Sequence, residues 1–324
     1  FITDSWCKEV GLEKIIEKKK EVVREKVTEE LEKAKEMIEK KRYLLRVFSI
    51  KNIAVLVNPL NNNEIVLNSA INLAKRLRAA VCVCSLALKG ENVDILNEKM
   101  ASMIKYLEDA GIHVEKSEVI SSSDENAVKS FLNWAKENQC QLIVMSKKYR
   151  LKEEQRTYSW FAERIADEDH DIPIIFVDKT EITEEYLDRA LVLISFRELK
   201  YPNVELALSI CGEGEIHLLS VIESSEVASL AKSMEISSDE AISKIREKRL
   251  NSIKNLANSI RSIVDADIKE HIEVGEVISV AREYYNELRP ILTYVNRSVR
   301  PGEIGTHLLL LIREIDPIAM TPMK

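Results

Sequence analysis

The residues best able to do chemistry lie in two loops, each following a short apolar run. In the later loop Gly302-Glu303-Ile304-Gly305-Thr306 opens a helical stretch, with Arg297, Arg300 and His307 close by in sequence. Glycines let a backbone approach an anion, a helix N-terminus adds N–H donors and partial positive charge, and arginine supplies a fork of donors. Gly302, Gly305, Thr306 and Arg297 together could hold a phosphate or a nucleotide. The Gly-x-x-Gly spacing is equally that of a plain turn, and Glu303 inside it opposes an anion. In the earlier loop, after Leu142-Ile143-Val144-Met145, the corresponding stretch is Ser146-Lys147-Lys148-Tyr149-Arg150, polar and without glycine.

Other catalytic constellations are absent from the sequence. His113, His170, His217, His271 and His307 lack metal-ligand spacing, and three of them fall at or inside predicted strands, as hydrogen-bonded structural histidines do. Cys140 precedes a strand with no base close in sequence, so it is not offered as a nucleophile. The acidic run Asp167-Glu168-Asp169-His170-Asp171 reads as a solvated loop rather than a cation site. Cys82 and Cys84 are too close along one predicted strand to pair and are expected on opposite faces; with Cys7, Cys140 and Cys211 they read as buried thiols of a reducing compartment.

Composition narrows the classes further. A net charge of −7 and a pI near 5.6 argue against a general nucleic-acid binder, which needs a basic face. At 45% hydrophobic and 31% charged, the 324 residues suit a globular protein of two ordinary domains. No apolar run is long enough to span a bilayer. The chain begins at Phe1, which raises the expectation of a fragment with something upstream.

Residues 1–48 form a charged amphipathic segment whose stripe, Leu12, Ile16, Val23, Val27, Leu31, Ala34 and Ile38, predicts one long helix. It could pack on its own globular domains, self-associate or join a preceding domain. Strands are then expected at 53–57, 81–86, 113–119, 142–145 and 172–177, with helices at 64–78, 93–110, around Phe131 to Ala135, and at 159–166. After a polar link at 180–188 the order repeats, with strands at 190–194, 216–222, 268–274, 290–295 and 317–321. The intervening helices are expected at 204–210, 238–263, 276–288 and 305–313. Strand–helix alternation with nearly continuous apolar strands predicts a parallel sheet covered on both faces, and the matched endings Asp171-Ile172-Pro173-Ile174 and Ile315-Asp316-Pro317-Ile318 support an internal repeat.

The helix after the first loop reads Ala162-Glu163-Arg164-Ile165, and here the chain resembles the universal stress protein family. Nucleotide-binding members carry Gly-x-x-Gly and, after a spacer, Gly-Ser/Thr, then Ala-Glu-Arg-Val. Counting from Met145, those glycine positions fall on Ser146, Tyr149 and Ser159, and the hydroxyl position on Trp160, so all four are changed. The acid such members carry after the first strand is replaced by Asn58 and Ser195. In the second copy, alignment of Tyr294 with Met145 puts Val295 and Ser298 at the first two glycine positions and keeps Gly305-Thr306.

The resemblance covers about residues 50–324. It implies two tandem flavodoxin-like α/β domains, at 49–179 and 186–324, behind the helix. It further implies a non-enzymatic regulatory or stress-response module of the cytoplasm that takes no cofactor and does not depend on ATP. The alternative is a nucleotide-binding sensor or weak ATPase using residues 302–306. Family members dimerise through their last strands, so a homodimer is expected by those strands or by the N-terminal helix. Ile174–Val177 and Ile318–Thr321 could instead pair within one chain. A more pointed variant makes this the cytosolic regulatory end of a membrane transporter.

Overall fold

The computed structural model describes residues 49–87, 90–123, 125–149, 160–195, 201–297 and 306–322. The helix expected over 1–48 falls outside them, as do Ser159, Gly302 and Gly305.

In the first half β1 (Asn52–Leu56), β2 (Ala80–Ala87), β3 (Val114–Ser121), β4 (Leu142–Ser146) and β5 (Ile174–Val177) alternate with α1 (Glu64–Leu77), α2 (Val93–Asp109), α3 (Ala127–Glu137) and α4 (Trp160–Asp167). A one-turn helix, α5 (Glu184–Leu187), lies in the polar link at 180–188. The second half repeats the order with β6 (Arg189–Leu193), β7 (Glu215–Ile222), β8 (Asp267–Val274), β9 (Leu292–Asn296) and β10 (Ile318–Thr321). Its helices are α6 (Pro202–Cys211), α7 (Ser224–Met234), α8 (Ser238–Arg261), α9 (Val277–Glu287) and α10 (Thr306–Glu314). The sequence reading missed α7 because only Val227 of it is buried, too little to leave a stripe.

Local signals account for several boundaries. The Asn92 side chain accepts the N–H groups of Asp94 and Ile95 at the start of α2, and Gly111 beyond its end takes φ +81°. Ser237 accepts the Glu240 N–H at the start of α8 in a Ser-x-x-Glu setting. Gly214 is required for another reason: a Cβ there would lie 2.2 Å from the Asp188 carbonyl oxygen, which accepts the next N–H, from Glu215, at 2.9 Å.

The ten strands among the described residues form one sheet, ordered β3-β2-β1-β4-β5-β10-β9-β6-β7-β8. Each half has the same order of strands, and the halves join edge to edge. Every neighbouring pair is parallel except β5 and β10, which run antiparallel with Ile318 opposite Phe176, Ala319 opposite Ile175 and Met320 opposite Ile174. The last strands thus pair within the chain. Each is hydrogen-bonded on both sides, so neither offers an edge for the homodimer expected through them.

Alternate side chains enter two cores. Ile53 and Val55 face one layer of helices, Ala54 and Leu56 the other, all fully buried. Cys82 and Cys84, two apart on β2, share a face rather than opposing each other, and both join the core that holds Cys140. The described cysteines are buried free thiols.

Candidate functional site

The carboxyl ends of β1, β4 and β5 border a cleft of about 570 Å³, beside the point where the chain leaves β1 for β2 on one side and reaches β4 on the other. Ligands of open α/β sheets sit at such switch points. One wall is the asparagine run after β1. Asn63, 8% exposed, donates to the carbonyls of Asn58 at 2.7 Å and Asn61 at 2.8 Å, and accepts the Asn58 N–H at 3.1 Å. Asn58 Oδ1 accepts the Leu60 N–H at 3.0 Å, and Asn62 Oδ1 accepts the Glu64 N–H at 2.9 Å. The carboxamides therefore build the turn that delivers α1, and Asn58 brings no charge to the cleft.

The facing wall is the loop after β4. Ser146, at the first glycine position, accepts the Lys148 N–H at 3.0 Å, and its carbonyl accepts the Tyr149 N–H at 3.1 Å. Neither Ser146 nor Tyr149 takes the positive φ that glycine would license. Tyr149 is 3% exposed, with its ring centroid 5.0 Å from that of Phe161, and burial pushes its phenol well above the usual tyrosine range. Beside it, Lys148 Nζ pairs with Asp178 Oδ1 at 2.8 Å. A buried aromatic ring and an internal ion pair stand where a phosphate-binding loop would offer open backbone.

Lys147 and Asp316 escaped the sequence reading. Lys147 is 3% exposed and lies 3.3 Å from Asp316 Oδ1. The Asp316 carboxylate also accepts the N–H groups of Asp178 and Lys179 at 2.8 Å and of Thr180 at 2.9 Å. A carboxylate of the second half thus holds the loop whose side chains line the first half's cleft. The matched Ile-Pro-Ile and Asp-Pro-Ile endings were the available signal, but they could not reveal which half Asp316 would serve.

In the second half Asn296, not Val295, stands at the place of Ser146. Asn296 pairs with Thr321 at the end of β10 as Ser146 pairs with Val177 at the end of β5, so the alignment of Tyr294 with Met145 is off by one residue, which apolar strands of similar composition do not reveal. Thr306 is the first residue of α10, as a helix-start anion site requires. Arg297 is 3% exposed, and its guanidinium donates to the Glu168 carbonyl. Burial lowers its pKa, and the neighbouring Asp167, Asp169 and Glu168 counter only part of that. The acidic run is thus partly engaged by Arg297, with Lys129 also 3.8 Å from Glu168, and is less solvated than its composition suggests. Burial and Arg297 together hold the His170 imidazole down at about 4. Ser195, after β6, is half-buried and uncharged.

Cys140 does not read as a nucleophile, because the Cys82 thiol and burial keep its own thiol protonated. Among the described residues no group of three His, Cys, Asp or Glu side chains could hold a metal ion, and no helix is long and apolar enough to cross a membrane.

No family model and no curated protein matches the chain. Solved structures do. A universal stress protein from Archaeoglobus fulgidus DSM 4304 superposes with a TM-score of 0.57 at 17% identity, over 85% of this chain and 98% of that one. A functionally unknown protein from Pseudomonas aeruginosa PAO1 gives 0.55 at 11% identity, over 86% and 94%. The cytoplasmic domain of a prokaryotic cation chloride cotransporter gives 0.46 at 11%, over 84% and 95%. The fold is that of the universal stress proteins.

Proposed function

From that fold, we propose that the chain is a non-enzymatic regulatory or stress-response module of the cytoplasm that works by contact with other macromolecules rather than by binding ATP. The observation that carries this reading is Tyr149. Its ring belongs to the core beneath the loop where nucleotide-binding relatives need a glycine. Asn58 and the Lys148–Asp178 pair reinforce it, since neither leaves a free charge suited to a nucleotide. Domain boundaries at 49–179 and 186–324 suit the repeated strand order, the link between them containing α5.

The competing reading is a nucleotide sensor or weak ATPase using Gly302, Gly305, Thr306 and Arg297. It is favoured by Thr306 opening a helix and opposed by the engagement of Arg297 with Glu168. Calorimetric titration with ATP, AMP and cyclic dinucleotides separates the two. Absence of binding into the millimolar range supports the contact module; micromolar binding abolished by Gly305→Trp establishes the sensor. The wider proposal, a regulatory end of a membrane transporter, is tested by the gene's upstream sequence: spanning helices there support it, and their absence removes it.

A further inference from the structure

His217 on β7 and His271 on β8 meet beneath α9, in a cluster that plays no part in the cleft. The register sets His271 beside Leu219 and His217 beside Lys269, so the two imidazoles approach diagonally across the strand pair. His217 Nδ1 lies 3.0 Å from His271 Nε2. The rings are parallel to within 6° with centroids 5.1 Å apart, too distant for a face-on stack and suited to an edge-on N–H···N bond. His217 is 2% exposed.

The surrounding charges are already matched. Glu215 Oε2 accepts Arg189 Nε at 2.7 Å, and Oε1 accepts Lys269, which also lies 3.8 Å from Asp267. His217 Nε2 sits 3.0 Å from Glu215 Oε1 but out of line for a hydrogen bond. Glu270 pairs with Arg261 at 3.0 Å. From α9, the Tyr284 ring packs edge-on to His271 at 4.9 Å and its hydroxyl donates to Glu273 at 2.8 Å, with Glu283 and Glu287 further out on the same helix. The next residue, Tyr285, donates to the carbonyl of Asp316. Arg289 lies over the Tyr285 ring, its guanidinium carbon 4.2 Å from the centroid.

In the neutral pair one ring donates and the other accepts, which satisfies His217 Nδ1 and His271 Nε2 and leaves His217 Nε2 without a hydrogen bond. A first added proton leaves that bond intact but places a positive charge in a buried site where Glu215 already faces two cations. A second sets N–H against N–H at the 3.0 Å separation and breaks the bond. The geometry points to an acid-sensitive catch: protonation of the His217–His271 pair under Tyr284 releases α9 from the sheet, and with it the Tyr285–Asp316 contact, before the rest of the domain opens.

Burial, the largest cause, holds both histidines below the ordinary value near 6.5. The folded state therefore takes up protons less readily than the unfolded chain. The pair's contribution is complete above about 6.5 and is lost as pH falls through the lowered values, the two rings titrating as a unit.

Amide hydrogen exchange of the full chain at about pH 7.5 and about pH 5, corrected for intrinsic exchange, tests the catch. The expected result is acceleration of the Val277–Glu287 peptide by about tenfold or more at the lower pH, with Glu64–Leu77 unchanged, and loss of that response in His217→Gln/His271→Gln. An unresponsive α9 in the wild type, or a response that persists in the double variant, overturns it. Should the double variant fail to fold, histidine ring resonances of the wild type decide: two coupled titrations below 6.5 support the catch, and two independent ones at or above 6.5 sink it.

Discussion

Lys147 and Arg297 occupy equivalent places in the two halves and make the same crossing. Each follows the fourth strand of its half, and each N–H donates at 2.8 Å to the last carbonyl of the neighbouring strand, Val177 for Lys147 and Thr321 for Arg297. Each side chain then reaches across the seam to the residue just beyond a helix of the other half. Lys147 donates to the Ile315 carbonyl after α10, and Arg297 to the Glu168 carbonyl after α4. Both cations thus meet the negative end of a helix dipole while bolting β5 and β10 together.

This crossing makes the seam sensitive to single changes. Asp316→Ala strands the buried Lys147 ammonium and three N–H groups, and is expected to cost about 3–5 kcal/mol in urea unfolding. Lys147→Met leaves the carboxylate its backbone donors and should cost about 1–3 kcal/mol. The double variant should lose less than the sum, since both remove one network.

Tyr149 tests the cleft. Tyr149→Ala removes a buried ring from contact with Phe161 and should destabilise by about 3–5 kcal/mol. Calorimetry on the same variant should detect no gained ATP affinity, because Asn58 and the Lys148–Asp178 pair remain. Tight ATP binding by Tyr149→Ala would show that one ring alone closes the site.

Two glycines should respond differently to alanine. Gly214→Ala drives a Cβ into the Asp188 carbonyl and is expected to cost about 3 kcal/mol or more. Gly111→Ala meets no atom within 4 Å and bears only the strain of φ +81°, about 1–2 kcal/mol. Thermal midpoints of the two variants check the order.

Glu215 governs a second, more acidic window. Burial raises its pKa, but hydrogen bonds from Lys269 and Arg189 outweigh this and hold the carboxylate at about 2. A lowered carboxylate stabilises the fold above its unfolded value near 4.5 and loses that contribution as pH falls toward 2. Glu215→Gln should therefore flatten the fall of melting temperature between those limits. An unaltered acid limb would mean the charge cluster is not coupled to folding.

Much of the fold was legible because burial on both sheet faces demands apolar strands such as Ala54-Val55-Leu56 and Leu142-Ile143-Val144-Met145, and caps such as Asn92 and Gly111 mark helix ends locally. The altered glycine positions were equally visible, since Ser146 and Tyr149 are facts of composition. The destination of Arg297 was not. Its type suits an anion site, but whether a guanidinium faces a loop or a seam depends on which strands become neighbours. The same holds for the bond between His217 and His271, which are far apart in the chain and meet only through the β7–β8 register.

The sequence by itself determined the strand–helix alternation, the repeat and the lack of glycine in the stretch Ser146 to Arg150, because these are read from periodicity and residue type along short stretches. Tertiary structure alone decided that β5 and β10 close one ten-stranded sheet, that Asp316 secures the opposite half's cleft, and that two strand histidines share a hydrogen bond. Each of those needs residues from separate parts of the chain brought within about 3 Å, and no local pattern encodes that proximity.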